Sequence, residues 1–291
     1  MNRIAISFSG GRTSAVMTKM LVEKLRPTHE ITVNFANTGC EHLKTLEFVD
    51  KCDKAFGFNC VWLEAVIDPR KGEGVRHKIV NFETASRDGR PFEDFIKKYG
   101  IPNMTTPQCT TRLKENVMDS YRHGELGWAR RQYDTAVGIR ADEAHRARKD
   151  AAKERFIYPL LESGWTKDMV VSEVRSWGFD LEIPEQLGNC TWCWKKSNRK
   201  LLTLAKENPE VFEFPLRMED KYSGFKCDSA AVGPDGKRNF FRGHRSALDL
   251  LELSKMPFEA FEDKYSNVFD PVYDLASGCG MSSCEVGVSD Q

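Results

Sequence analysis

The chain has 291 residues, enough for one to two domains with a sizeable core. Its 43 Lys and Arg balance 43 Asp and Glu, which excludes a generally basic nucleic-acid coat or an acidic tail, so any anion site is local. A 40 % apolar and 11 % aromatic composition is that of a folded chain, and no apolar run is long enough for a membrane span.

Arg3 to Phe8 reads as a short strand, directly followed by a glycine turn. It lacks the apolar stretch and cleavage site of a signal peptide, so a cytoplasmic location is expected. Val16, Met17, Met20, Leu21 and Leu25 then mark one face of a helix that Pro27 ends. Glu30 to Ala36 is a second strand, closed by Asn37-Thr38-Gly39. Leu43, Leu46, Val49, Cys52 and Phe56 have helical spacing, with Gly57 placed to terminate the helix. Cys60 to Ala65 is a third strand. Residues 68–90 are charged and weakly periodic and read as a surface excursion. Short helices follow around Phe92–Tyr99 and Leu113–Tyr121, then a strand at Asp134–Ile139. Strands alternating with helices predict an α/β domain with a mainly parallel sheet.

After Ser163 the texture changes. Helices are marked by Val170, Val174 and Trp177, by Leu201, Leu202 and Ala205, and by Leu248, Leu251 and Met256. The expected arrangement is an α/β nucleotide-binding domain over residues 1–163 and a smaller, mostly helical, cysteine-bearing part over residues 164–291. Residues 214–245 receive no role.

Ser9-Gly10-Gly11-Arg12-Thr13-Ser14 lies between the first strand and the first helix, where a parallel sheet binds ligands. Two glycines let the backbone approach an anion, and the helix start offers unpaired N–H groups and the positive end of its dipole. Ser9, Thr13 and Ser14 add hydroxyls and Arg12 a charge. Neither G-x-x-x-x-G-K-[ST] nor G-x-G-x-x-G is present. A plain strand-to-helix turn capped by Ser or Thr accounts for the same letters.

Nine cysteines in a chain of this size are too many to ignore and unsuited to a disulfide scaffold. Cys40, Cys52 and Cys60 adjoin apolar segments and read as buried, ordinary thiols. Cys190-Thr191-Trp192-Cys193 is a C-x-x-C turn whose spacing suits zinc, an iron–sulfur cluster, or a metal-free redox or structural pair. Cys279 and Cys284 are candidates to complete a Cys₄ zinc site. Lys195, Lys196, Arg199 and Lys200, beside Trp192 and Trp194, suit either a nucleic-acid contact or, the plainer reading, a solvated basic helix face. The histidines His77, His123, His145 and His244 show no metal spacing with one another.

The SGGRTS turn resembles the SGG-x-x-S pyrophosphate loop of the PP-loop ATP pyrophosphatases and their phosphoadenylyl-sulfate reductase relatives. Asn37-Thr38-Gly39 with Glu41, Gly138-Ile139-Arg140-Ala141-Asp142-Glu143, and Tyr158-Pro159-Leu160 before Gly164-Trp165-Thr166 resemble further segments of that reductase family, in the same order. The resemblance spans roughly residues 4–200 and implies a Rossmann-like PP-loop domain. Ser9, Gly10, Gly11, Arg12, Thr13 and Ser14, with Asn37, Thr38 and Gly138, would then hold ATP or another adenine nucleotide. Arg140 would reach its phosphates and take part in catalysis. Asp142 and Glu143 are read as Mg²⁺ ligands or as partners of Arg140 and Arg146.

Cys109, placed 81 positions before Cys190, resembles the cysteine pair that joins a later C-x-x-C on a [4Fe–4S] cluster in adenylyl-sulfate reductases. Thr110 departs from that pattern, leaving Cys109, Cys190 and Cys193 as ligands, with the fourth position open or filled by Cys227, Cys279 or Cys284. An open iron resembles iron–sulfur tRNA thiolases. The tail, Ser283-Cys284-Glu285-Val286-Gly287, departs from the E-C-G-[IL]-H segment that carries the nucleophile of sulfonucleotide reductases; Cys279-Gly280 echoes it in part. The leading expectation is therefore ATP-dependent adenylation and sulfur transfer to a nucleic-acid or nucleoside acceptor, with a sulfur donor protein as partner and Cys109 in the chemistry. The alternatives are sulfonucleotide reduction to sulfite through Cys279 or Cys284, and a nucleotide-binding redox sensor without turnover.

Overall fold

A computed structural model describes residues 2–227 and 231–262. Cys279 and Cys284 lie outside them. Among the described residues six strands are formed: β1 (Asn2–Ser7), β2 (His29–Asn37), β3 (Cys60–Ile67), β4 (Val75–Val80), β5 (Asp134–Ala136) and β6 (Phe156–Ile157). Ten α-helices accompany them in the same residues: α1 (Arg12–Leu25), α2 (Leu43–Phe56), α3 (Arg90–Tyr99), α4 (Asn116–Gly124), α5 (Ala151–Glu154), α6 (Pro159–Glu162), α7 (Lys167–Arg175), α8 (Asn198–Glu207), α9 (Glu213–Tyr222) and α10 (Ala247–Leu253).

The strands form one sheet in the order β4-β3-β2-β1-β5-β6. All neighbours run parallel except β4, which pairs antiparallel with β3. Ile4, Ala5 and Ile6 are consecutive and all buried, so both faces of β1 are covered, as a central parallel strand requires. The chain leaves β1 toward β2 on one side and returns to β5 on the other. That reversal makes a crevice at the carboxyl ends of β1, β2 and β5.

The expected α/β order holds. Two details differ. The charged stretch read as an excursion contains β4, whose partly exposed residues suit an edge strand and weaken the apolar signal. The strand expected through Ile139 stops at Ala136, because the chain turns there to carry Gly138 and Arg140 over the crevice.

One hydrophobic cluster runs from the sheet into the helices beyond residue 190. Its hinge is Trp192, whose ring centroid lies 5.0 Å from Phe92 of α3, 5.4 Å from Phe214 of α9 and 4.9 Å from Phe240. Aromatic contacts of this kind add to the area they bury and fix ring orientation. Among the described residues, no helix is long and apolar enough to cross a membrane.

Glu219 of α9 is buried and accepts the backbone N–H groups of Phe240 (3.0 Å) and Ala247 (2.7 Å), tying α9 to the start of α10. Burial pushes its carboxyl up to about 7. A carboxyl raised on folding favours the folded state most below its unfolded value of 4.5, and that contribution is lost as pH rises through 7. Urea unfolding is expected to show stability falling with rising pH by up to about 3 kcal/mol from this group. Glu219→Gln is expected to flatten the profile between pH 5 and pH 8; an unchanged slope would contradict the assignment.

Candidate active site

The chain leaves β1 at Ser7 and enters α1 at Arg12, so it must turn within four residues at the sheet edge. Gly10 makes this turn with φ of 79°, and a Cβ there would stand 2.7 Å from Cγ2 of Thr45 on α2. Ser14 braces the loop from the helix side. Its hydroxyl accepts the Ser9 N–H (3.2 Å), donates to the Gly11 carbonyl (2.9 Å) and lies 3.0 Å from the Ser9 hydroxyl. No side chain caps the start of α1, and its first turn holds no acidic residue. The helix therefore presents backbone donors and the positive end of its dipole at the crevice.

This loop lines a cavity of about 510 Å³, together with Thr45, Gly138 and Arg140. The opposite wall is built by α7 and the segment Leu181–Glu185, with Val170, Val171, Leu181, Ile183 and Pro184 giving it an apolar face suited to a base. The buried hydroxyl oxygen of Thr45 has no protein partner there.

Arg140 is buried and donates to the Thr13 hydroxyl at 3.0 Å, which ties it to the loop. It also pairs with Asp142 (3.0 Å) and Glu143 (3.3 Å), and Glu143 pairs with Arg146 at 2.6 Å. Of the two readings of Asp142 and Glu143, the structure displays the ion pairs. Arg12 turns across the crevice to Asp180, with Nε 2.6 Å from Oδ1 and Nη2 3.0 Å from Oδ2. Burial raises the Asp180 carboxyl, but the Arg12 hydrogen bonds, the Leu181 N–H and the Arg12 and Arg175 charges together outweigh it and hold the group below its usual value.

Asn37 and Thr38 point to other tasks. Asn37 donates to buried Glu64 (2.7 Å) and to the Ser86 carbonyl (2.9 Å), which anchors the loop before α3. Thr38 bonds to Glu41 (2.8 Å) and lies 3.3 Å from Sγ of Cys190. Both are buried at the end of β2; neither lines the large cavity, and Thr38 lines the smaller cavity described next.

The three cysteines read as ligands line one small cavity, of about 20 Å³. Cys190 and Cys193 arrive there because Thr191 N–H bonds to the Cys40 carbonyl (3.0 Å) and Glu41 bridges to Cys190. Cys109 stands just before a π-helical turn (Thr111–Glu115), a distortion that is frequent at functional sites. Lys114 and Lys195 share the lining, and Lys195 donates to the Thr110 hydroxyl at 3.1 Å. Burial pushes the Cys190 thiol well up, Glu41 adds to this, and Lys114 opposes it.

Three thiols on one wall are a soft donor set that suits zinc or an iron–sulfur cluster. The indole N–H of Trp194, also on that wall, is buried without a partner and fits a sulfur or other acceptor there. Among the described residues, however, no three His, Cys, Asp or Glu side chains are placed to hold a single metal ion. Cys227, one candidate fourth ligand, is exposed and hydrogen-bonded to the Ser223 carbonyl, and it does not line this cavity.

The two cavities adjoin. Asn189 lines both, and a third space links them, lined by Ser9, Ser14 and Gly138 from the loop and by Thr110 and Lys114 from the thiol side.

The basic run after the C-x-x-C is not a solvated face. Lys195, Lys196 and Lys200 are buried. Lys196 donates to the carbonyls of Gly188 (2.7 Å) and Cys190 (3.0 Å), closing the thiol turn. Lys200 and Lys167 both reach Glu185 at 2.7 Å. Burial raises the Glu185 carboxyl, but the two lysines outweigh it and hold it at about 2. Sequence reasoning missed Lys114, Lys167 and Glu185 as site residues. Lys167 alone left a signal, as the residue following Gly164-Trp165-Thr166.

Because Ser14 shapes the loop through three hydrogen bonds, Ser14→Ala is expected to weaken ATP binding about tenfold while leaving the melting temperature nearly unchanged. Calorimetric titration checks this; unchanged affinity would show that the loop does not hold the phosphates.

Comparison with known proteins agrees with this geometry. Residues 3–172 match the phosphoadenosine phosphosulfate reductase domain. An uncharacterized nin region protein of Escherichia phage lambda is 35 % identical over 69 % of this chain and 69 % of its own length. An uncharacterized protein of Methanocaldococcus jannaschii is 26 % identical over 87 % of this chain and 54 % of its own, so the chain spans about half of that relative. The crystal structure of phosphoadenylyl-sulfate reductase from Candida auris, in a phosphate complex, overlaps 60 % of this chain and 73 % of its own with a TM-score of 0.34 and 16 % identity. The chain belongs to the phosphoadenosine phosphosulfate reductase family of the PP-loop superfamily, nucleotide-binding enzymes of the sulfonucleotide reductase kind.

Proposed function

We propose that the protein binds ATP in the large cavity and uses it to activate an acceptor for sulfur transfer, with the thiol cavity as the sulfur site. The observation that carries this reading is the adjacency of the two cavities through Asn189, Thr110 and Lys114. A group activated at the phosphate loop lies next to three thiols and two lysines.

An acceptor oxygen attacks the α-phosphorus of ATP, the bond to the β-phosphate breaks, and pyrophosphate leaves. The N–H groups at the start of α1, with the Ser9 and Thr13 hydroxyls, hold the negative charge that gathers on the leaving group. Arg140 is held against Thr13 for the same task. A sulfur nucleophile from a donor then displaces AMP from the acceptor, which is a nucleobase or another part of a nucleic acid or nucleoside. Lys114 and Lys195 line the thiol cavity, and Lys114 opposes the burial that keeps the Cys190 thiol protonated.

The same three cysteines would hold a [4Fe–4S] cluster, which supplies an iron able to bind sulfur. Zinc on the same thiols is the alternative. Family membership supports a second reading, thioredoxin-dependent reduction of a sulfonucleotide to sulfite.

Anaerobically purified protein is expected to carry about four irons with matching sulfide, sharply reduced in Cys109→Ser. It is also expected to release pyrophosphate from ATP when the right acceptor is present. One zinc without sulfide would remove the cluster. Sulfite formation from a sulfonucleotide, with no pyrophosphate released for any RNA, DNA or nucleoside, would decide for the reductase.

A further inference from the structure

After α3 the chain crosses residues 100–108 outside any helix or strand, and Cys109 follows directly. A loop of this kind is located by its contacts, and those contacts come from far off in sequence. Arg238 is buried, and its guanidinium donates from Nε to the Ile101 carbonyl (2.6 Å) and from Nη2 to the Thr106 hydroxyl (2.6 Å), with Nη1 on the Lys226 carbonyl (3.0 Å). It packs so close to Gly100, whose φ is 82°, that a Cβ there would stand 2.7 Å from Nη1. Asn103, also buried, answers from the loop by donating to the carbonyls of Ala231 (3.0 Å) and Asn239 (3.2 Å). Further along the same stretch, Arg242 donates to the carbonyls of Lys196 (2.6 Å) and Lys195 (3.0 Å), just past the C-x-x-C turn. The Lys196 N–H in turn donates to the Cys193 carbonyl (3.0 Å). Between the two arginines, Phe240 stands against Trp192 of that turn.

We infer that the segment Arg238–Arg242 is a bracket that sets the spacing of Cys109 from Cys190 and Cys193, with Arg238 and Arg242 as its positioning residues. A guanidinium is a rigid planar fork, so the acceptors it holds keep a fixed relation to one another. Both forks spring from one short stretch, itself tied to α9 by the Arg238 N–H on the Ser223 carbonyl (2.8 Å) and the Phe240 N–H on Glu219 (3.0 Å). The Cys109 loop and the C-x-x-C turn are therefore located by the same piece of chain. Lysine in place of Arg238 cannot do this, because an ammonium is a point charge on a flexible stem. The inference rests on reading the three thiols as one site and deepens it: two residues that line neither cavity decide how the thiols face one another.

The test is labelling of the whole protein, freed of metal by a chelator and kept reduced, with iodoacetamide, each cysteine being read by peptide mass spectrometry. Cys109 and Cys193 are half-buried, so their labelling follows local opening, and half-buried Cys60 at the start of β3 serves as the standard for general loosening. Arg238→Lys and the milder Thr106→Val, which removes one acceptor, are each expected to speed labelling of Cys109 about fivefold while Cys60 is unchanged. Arg242→Met is expected to speed labelling of Cys193 by about the same factor, again with Cys60 unchanged. Unchanged labelling of Cys109 in both Arg238→Lys and Thr106→Val overturns the bracket, as does unchanged labelling of Cys193 in Arg242→Met. A rise at Cys60 that matches the rise at Cys109 in both of the first two variants marks a general structural role and overturns it too. The labelling needs neither nucleotide nor metal, so it decides on the bracket whether or not the thiols hold a cluster, and iron and sulfide content decides on the cluster separately.

Discussion

The arrangement of this protein depends on a short antiparallel contact, in which Thr191 N–H meets the Cys40 carbonyl and Cys190 stands opposite Glu41. Nothing in local sequence joins residues 40 and 190. Once joined, the C-x-x-C turn is held at the carboxyl edge of the sheet, beside the loop that leaves β1. Trp192 locks the contact from below by filling the space between Phe92, Phe214 and Phe240. Lys196 locks it from within by donating to the carbonyls of Gly188 and Cys190, the second of which also accepts the Cys193 N–H.

The segment from Asp180 to Cys193 then serves both cavities. Its first half faces the large cavity and is clamped to the Ser9–Ser14 turn by Arg12. Its middle is clamped to α7 and α8 through Glu185. Its second half carries the thiols. Breaking one partner of a buried charge pair leaves the other uncompensated, a cost of roughly 3–5 kcal/mol. Glu185, gripped by two lysines, is therefore the point at which the nucleotide wall and the helical part are least separable.

Much of this was legible in the residues. Apolar runs closed by turn residues placed β1, β2 and β3, and the SGGRTS letters marked the turn at a helix start that lines the large cavity. The C-x-x-C and Cys109, 81 positions apart in the chain, line one cavity. What escaped was contact between distant charges. Lys195, Lys196 and Lys200 look like a solvated stripe, because a lysine's burial is decided by carbonyls and carboxylates elsewhere in the chain. Asn37 and Thr38 carry a family pattern, yet their partners lie far off in sequence: Asn37 meets Glu64 and Ser86, and Thr38 reaches the thiol cavity beside Cys190. β4 was hidden because an edge strand exposes much of its length and tolerates charge.

The walls of the thiol cavity have a consequence for what holds the sulfurs in place. They include Trp192, Trp194, Phe92 and Leu113, which are bulky, buried and packed into the common core. Close-packed interiors transmit strain. A substitution at Phe214 or Phe240, far from the thiols in sequence, is therefore felt at Cys190 and Cys193 through the Trp192 ring that stands between them.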